Sequence, residues 1–167
     1  MKLELKNITY YKQGSQETPC YNAIVYVDGK KMIDVGNDGH GGCDRQYGIG
    51  DFNYNTVDEV NKWCIKTFGQ GSFTYTSDGE EKECFYDIDL EQFCHDKLYD
   101  WLDSKTLKKD LNTKFLCQED KEIFVYKKPR GYDEDEFKSV LRNRHPKAKC
   151  LNFMPFEDAL KLYKEYA

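Results

Sequence analysis

The chain is poor in several features that usually indicate a function. Its 167 residues include only three histidines, four prolines and three methionines, and its net charge is -5. General nucleic-acid binding depends on basic side chains that neutralise phosphates, so this acidic balance argues against it. No apolar run approaches the roughly 20 residues that cross a bilayer, which argues against a membrane protein. The phosphate-binding patterns Gly-Lys-Ser/Thr and Gly-x-Gly-x-x-Gly are both absent.

Cysteine is present but in no recognisable pattern. The seven cysteines include no Cys-x-x-Cys pair, and residues 1–5 alternate charged and apolar side chains, unlike a signal peptide. These observations favour reduced cysteines and a cytoplasmic protein. A zinc site built from Cys43, Cys84, Cys94 and His95 would match no familiar ligand spacing.

Length and composition favour an α+β fold. A chain of this length is expected to form a single domain over residues 1–167, and its 15% aromatic content supplies a core richer in rings than in aliphatic side chains. We expect a mixed or mainly antiparallel sheet with three to four helices packed on it.

The order of elements follows from periodicity and turn signals. Apolar alternation predicts an opening strand over 2–10, and Asp28-Gly29 predicts a hairpin between strands 21–27 and 31–35. Thr56 with Glu59 predicts a capping box for the first helix, which Gly69 ends. The remaining predicted elements are a turn-rich hairpin within 69–83, a helix from Asp89, a shorter helical segment over 104–113, a hairpin over 115–126, a helix from Asp133, a strand over 149–153 and a closing helix from Pro155. Residues 123–153 are compatible with a parallel strand–helix–strand crossover.

Val35–Asn53 is the most unusual stretch, because it holds six of the twelve glycines. Glycine lets backbone amides approach a ligand, and consecutive amides can form a concave anion site. His40 can exchange a proton near neutral pH, Arg45 offers a fixed cation, and Tyr47 can stack on a base. The predicted ligand-binding residues are Asn37, Asp38, Gly39, His40, Gly41, Gly42, Arg45 and Tyr47. The alternative is a long connection that needs several positive-φ positions.

The main functional prediction is non-enzymatic binding of an anionic small molecule, with a nucleotide as its most specific form. It assigns no catalytic residue, metal or cofactor, and it leaves a homo-oligomer open. The basic segment 127–149 could contribute positive charge to the binding of the anion. One alternative is a protein–protein inhibitor that uses the acidic segment 77–91, where seven acids accompany one lysine. Another is a metal-dependent hydrolase built on Asp38, His40 and Asp44.

Two patches resemble a group of small bacteriophage- and prophage-encoded proteins of unassigned function. These patches are the loop NDGHGG, which follows the Val-Asp-Gly-Lys turn, and the segment HPKAKCLNFMPFEDALKLYKEY near the C-terminus. The resemblance implies action in an infected bacterial cytosol, where such a protein would bind a host protein or sequester a signalling nucleotide of antiviral defence.

Overall fold

The computed structural model describes residues 1–166 and has the α+β fold predicted from the sequence. Its sheets are antiparallel, with strand orders β1-β2-β3-β4, β5-β6 and β8-β7-β9. The strands are β1 (Leu3–Tyr10), β2 (Tyr21–Val27), β3 (Lys30–Asn37), β4 (Arg45–Gly48), β5 (Gln70–Ser77), β6 (Glu80–Asp87), β7 (Lys114–Glu119), β8 (Glu122–Lys127) and β9 (Lys149–Cys150). The helices are α1 (Tyr54–Phe68), α2 (Leu90–Thr113), α3 (Glu134–Arg144) and α4 (Phe156–Tyr166). None of the helices in the described part of the chain has both the length and the apolar character of a membrane span.

The chain divides into two compact units, and the boundary between them falls inside α2. The first unit is Met1–Leu98 and the second begins at Tyr99. Compact units need not fold separately, so the single domain expected over residues 1–167 stays a prediction.

The four-stranded sheet of the first unit follows from alternating apolar residues. In β2, Tyr21, Ala23, Val25 and Val27 are buried while the residues between them are more exposed. The turn to β3 uses Asp28-Gly29, and both residues have positive φ, as the Asp-Gly signal predicts.

Two details of the glycine-rich region differ from the sequence-based expectation. Residues 45–48 form β4 and pair with β3, so Val35–Asn53 is not one long loop. The first helix also begins earlier than expected, because Asn53 and not Thr56 is its N-cap. The Asn53 side chain accepts a hydrogen bond from the Asn55 amide, and Thr56 Oγ1 accepts one from the Asn53 amide. Asn is among the strongest N-caps, which explains the shift of the capping box by one turn.

The helix predicted from Asp89 is longer than the sequence suggested. Asp89 Oδ1 accepts a hydrogen bond of 2.9 Å from the Gln92 amide, which confirms the predicted start. Residues 104–113 belong to the same 24-residue helix α2 and not to a separate segment. No glycine or proline interrupts the helix, so nothing in its sequence requires a break.

The second unit contains the predicted hairpin β7–β8, with β9 added on the other side of β7. The expected strand–helix–strand crossover is present, because β8 and β9 run in the same direction within one sheet and α3 connects them; β7 lies between the two strands. The predicted strand over 149–153 is limited to β9, and a short 3-10 turn, Leu151–Phe153, follows it. Phe115 stacks on Phe137 with ring centroids 3.8 Å apart and anchors part of this core.

Alanine substitution at Gly39 would measure how tightly the loop before β4 is packed. Its φ is +90°, and a Cβ there would lie 2.0 Å from the Gly14 carbonyl oxygen. Gly42 has a similar φ of +85°, but a Cβ added there would meet no other atom within 4 Å. Gly42→Ala should therefore cost only the strain of an L-residue at positive φ, about 1–2 kcal/mol. Gly39→Ala should cost ~1–3 kcal/mol more, because the loop must move away from the Gly14 carbonyl.

Urea denaturation of the two variants measures this difference in the free energy of unfolding. Equal stabilities of Gly39→Ala and Gly42→Ala would contradict the close packing of the loop.

Candidate functional site

Three polar side chains meet at one end of the four-stranded sheet. Tyr21 is the first residue of β2, Asn37 is the last of β3, and Asp44 directly precedes β4. The register pairs Tyr21 with Asn37, and the pairing of Gly36 with Arg45 brings Asn37 opposite Asp44. Residues opposite one another in antiparallel strands share a face, so the sheet itself sets the three side chains in one row.

The Asp44 carboxylate is the centre of this row. Its side chain has no solvent exposure. Oδ2 accepts a hydrogen bond from the Tyr21 hydroxyl, and Oδ1 accepts one of 3.1 Å from Asn37 Nδ2. Oδ1 also lies 3.3 Å from His95 Nε2. A buried carboxylate is tolerated when its oxygens are bonded and paired in this way.

The first turns of α2 add two side chains to the cluster. Glu91 and His95 are four residues apart, so they lie on the same helix face. Glu91 Oε1 accepts a hydrogen bond of 3.0 Å from the Asp44 amide. The His95 ring packs edge-on against Tyr21 with centroids 6.2 Å apart. The start of the helix is itself held in place, because Asn61 Oδ1 accepts a 2.9 Å hydrogen bond from the Leu90 amide.

The ionisation of the cluster follows from these contacts. Burial favours the neutral form of Asp44, but hydrogen bonds from His95, Tyr21 and Asn37 outweigh it and lower the pKa of the carboxyl. The hydrogen bond with Asp44 raises the pKa of His95, although burial opposes it. Burial raises the pKa of Glu91, even though the Asp44 amide stabilises the charged form. Burial and the bond to Asp44 raise the pKa of Tyr21, which therefore remains a hydrogen-bond donor.

The cluster contains three side chains of the types that ligate metal ions. One ligand atom each from Asp44, Glu91 and His95 can be chosen so that all three lie within 4.8 Å of one another. Glu91 and His95 also line a cavity of about 520 Å³, and the His95 side chain is 23% exposed. The other lining residues are Phe73, Tyr86, Asp87, Asp89 and Gln92. Two members of the cluster, Glu91 and His95, therefore border this cavity, whereas the Asp44 side chain lies behind them without solvent exposure.

Three amides of the glycine loop are hydrogen-bonded to other groups of the protein. The Gly39 amide donates to Asn37 Oδ1, the His40 amide to Asp38 Oδ1 and the Gly41 amide to Thr18 Oγ1, at 2.9, 3.2 and 3.2 Å. These amides are used inside the protein, and His40 and Asp38 are exposed. The glycines serve the chain path into β4, while anion binding by the loop stays a prediction without this geometric support.

The other predicted site residues lie apart from the cluster, except Asn37. Arg45 Nη2 donates to Asn22 Oδ1 at 2.7 Å and contacts Asp34 Oδ1 at 3.2 Å. Tyr47 is exposed, and the Gly42 carbonyl accepts a hydrogen bond from Asn37 Nδ2. The guanidinium and the three amides thus have partners of their own.

Neither of the two ligand sets considered from the sequence comes together as a group of three or more potential metal ligands. Of Asp38, His40 and Asp44, the structure brings only Asp44 into a ligand cluster, and its partners are Glu91 and His95. His95 joins carboxylates and not the three cysteines considered for zinc; among residues 1–166 no other cluster of potential metal ligands is found. The spacing of Glu91 and His95 on a predicted helix was a usable signal. Nothing in the sequence linked that helix face to Asp44, which lies 47 residues before Glu91.

Comparison with known proteins identifies no relative. The chain matches no protein family, no curated protein and no solved structure. The resemblance to phage-encoded proteins therefore stays a prediction, and the function must be argued from the geometry of the cluster.

The paired shifts in pKa predict how stability depends on pH. Because the pKa of His95 is raised above its ordinary value of 6.5, the stability that its protonated form contributes is complete below pH 6.5. It is lost as the pH rises through the raised pKa. The lowered pKa of Asp44 affects stability at acidic pH. The stability that the ionised carboxylate contributes is present above the ordinary pKa of 3.8 and is lost as the pH falls through the lowered pKa.

With a chelator present to remove metal ions, we expect the free energy of unfolding of the wild type to decrease as the pH rises above 6.5. His95→Gln should reduce this decline, whereas the exposed control His40→Gln should retain it. Urea denaturation across the pH range provides the measurement. An unchanged decline in His95→Gln would show that the Asp44–His95 pair does not stabilise the fold.

Proposed function

We propose that the protein binds one divalent cation through Asp44, Glu91 and His95. The observation that carries this proposal is the convergence of three ligand atoms within 4.8 Å beside an open cavity. A cation at this point would lie between two carboxylates and an imidazole, which are ligands common to Zn²⁺, Mn²⁺ and Fe²⁺ sites.

The separation of the ligand atoms supports the proposal. Two ligands about 2.0–2.1 Å from a tetrahedral ion are ~3.4 Å apart, and octahedral neighbours are ~3.0 Å apart. Asp44 Oδ1 and His95 Nε2 are 3.3 Å apart, which falls between these values. Glu91 Oε1 accepts a hydrogen bond from the Asp44 amide, which holds the Glu91 carboxylate beside Asp44.

The surroundings of Asp44 also suit a metal ligand. Ligating carboxylates are usually fixed by hydrogen bonds from residues that do not touch the ion. Tyr21 and Asn37 occupy this role, since both donate to the carboxylate and both come from neighbouring strands. Their donation leaves lone pairs on the two oxygens, because a carboxylate offers about four acceptor positions.

The cavity indicates what a bound cation would act on. Three protein ligands leave coordination positions for water or for an oxygen atom of a small molecule, and a cation there would polarise a phosphoryl or carbonyl group. Asp87 and Asp89 line the same cavity and would repel a free phosphate. An anionic ligand such as a nucleotide would therefore enter together with the cation, with Phe73 and Tyr86 available to contact a base.

The test is a titration of the full chain with Mn²⁺, in which calorimetry or electron paramagnetic resonance detects binding. Mn²⁺ prefers oxygen and nitrogen ligands, so the seven cysteines should not compete for it. We expect one ion per chain, and His95→Ala or Glu91→Gln should weaken binding by at least about tenfold. Tyr21→Phe should weaken it by roughly 10–100-fold if the hydroxyl positions the Asp44 carboxylate.

Matched controls separate this site from the glycine loop. Asp38→Asn and His40→Ala remove the exposed ligands considered from the sequence and should leave Mn²⁺ binding unchanged. No binding to the wild type, or an equal loss in these controls, would remove the proposal. Circular dichroism of each variant distinguishes loss of a ligand from loss of folding.

The biological setting continues to rest on the sequence. We propose a cytoplasmic protein of phage origin that binds a nucleotide or related anion, and the cation site supports such a ligand only when it is loaded. Metal-dependent hydrolysis is the enzymatic form of the same proposal, with water at an open coordination position.

A further inference from the structure

The hairpin β5–β6 is the most exposed element of the first unit. Each of its strands has eight residues, and none of these residues is buried. Within residues 1–166 no third strand pairs with it. A two-stranded hairpin without cover gains little stability from its own packing, so a partner on one of its faces would stabilise it.

The two faces of the hairpin differ in chemistry. Phe73, Tyr75 and Tyr86 form an aromatic cluster on one face, with ring centroids 6.1 and 6.3 Å apart. Their exposed fractions are 53%, 46% and 37%, which are large values for such rings. Strand alternation places Glu80 and Lys82 on this same face, whereas Glu81, Glu83 and the exposed Phe85 lie on the opposite face. Contiguous exposed aromatic surface of this kind is typical of an interaction site.

The charge of the hairpin selects the kind of partner. Residues 77–91 carry seven acids and a single lysine; of these acids, Glu80 lies on the aromatic face, and Asp87 and Asp89 line the cavity beside Phe73. Carboxylates bind guanidinium and ammonium groups through charge-assisted hydrogen bonds. Exposed aromatic rings bind the same cations through their faces. Nucleic acid would be repelled by this surface.

The cavity extends this surface beyond the strands. Phe73 and Tyr86 of the aromatic cluster line the cavity together with Asp87 and Asp89. A long basic side chain could place its stem on the rings and its charged end near the carboxylates.

We infer that the β5–β6 hairpin is a docking surface for a protein partner whose binding segment is rich in lysine and arginine. The aromatic face supplies apolar area and cation–π contacts, and the acidic residues supply attraction and orientation. This inference does not depend on the proposed cation site, because Phe73, Tyr75, Glu80 and Asp87 are not among the metal ligands.

The experiment uses the full chain and a labelled synthetic peptide in which arginine and lysine alternate with alanine. A second peptide of equal length replaces the basic residues with glutamate. We expect the basic peptide alone to bind, and its affinity to fall as ionic strength rises. Glu80→Lys/Asp87→Lys should weaken binding by about tenfold, and Phe73→Ser/Tyr75→Ser by a similar factor.

The control variant Glu122→Lys/Glu165→Lys makes the same charge change at exposed positions of the second unit. It should change affinity less than twofold, and an equal loss there would reduce the result to general electrostatic attraction and overturn the inference. His95→Ala should bind the peptide normally, which distinguishes this surface from the cation site. Binding of both peptides, or of neither, would also overturn it.

Sedimentation velocity tests whether a second copy of the chain, and not a basic partner, covers this face. If the wild type self-associates and Phe73→Ser/Tyr75→Ser abolishes the association, a second copy of the chain covers the hairpin and the inference is wrong. A monomer at all concentrations supports it.

Discussion

The negative charge of Asp44, held away from water, is the constraint around which the first unit is organised. A buried carboxylate without partners would cost several kcal/mol or would take up a proton. Here three donors offset that cost, and they come from two strands and a helix: the Tyr21 hydroxyl, the Asn37 amide and the His95 imidazole. The same carboxylate therefore joins the end of the sheet to the first turns of α2. Its neighbours cannot be changed one at a time without leaving a charge or a polar group unpaired.

The first unit uses acidic residues in two different ways. At Asp44 and Glu91 the carboxylates are wholly or partly withdrawn from water and fixed by hydrogen bonds, which is an arrangement suited to holding a small ion. On the β5–β6 hairpin the carboxylates are solvated, so they act by attraction over a distance of about one Debye length, ~8–10 Å. The cavity between Phe73 and His95 contains residues of both kinds. A cation and a basic partner would thus compete or cooperate through the same acidic surroundings.

Local signals in the sequence predicted much of the fold and little of the site. Asp28-Gly29 correctly predicted a hairpin, and Asp89 correctly predicted the start of a helix. Both signals are reliable because turn formation and helix capping depend on residues only a few positions apart. The strand β4 was missed because Arg45–Gly48 is short and lies among glycines, so its pairing with β3 is decided by tertiary contacts. The cluster was missed for a related reason. The hydrogen bonds of Asp44 to Tyr21 and His95 join residues 23 and 51 positions away in the chain, and no periodic pattern in a sequence indicates such contacts. Glycine can indicate either the approach of a ligand or a close approach within the chain, and at Gly39 the structure shows a close approach to the Gly14 carbonyl.

The open edges of β5 and β6 have a consequence for the behaviour of the protein in concentrated solution. An unpaired strand edge is a template for adding strands from other molecules, and proteins commonly protect such edges with charged side chains. If two β6 edges approached each other, the run Glu80 to Glu83 of one molecule would face the same run of the other, and like charges would oppose the contact. Colloidal stability should therefore be lowest near the isoelectric point of about 5.3, where this mutual repulsion is weakest. The acidity of the hairpin thus protects the molecule against fibre-like stacking.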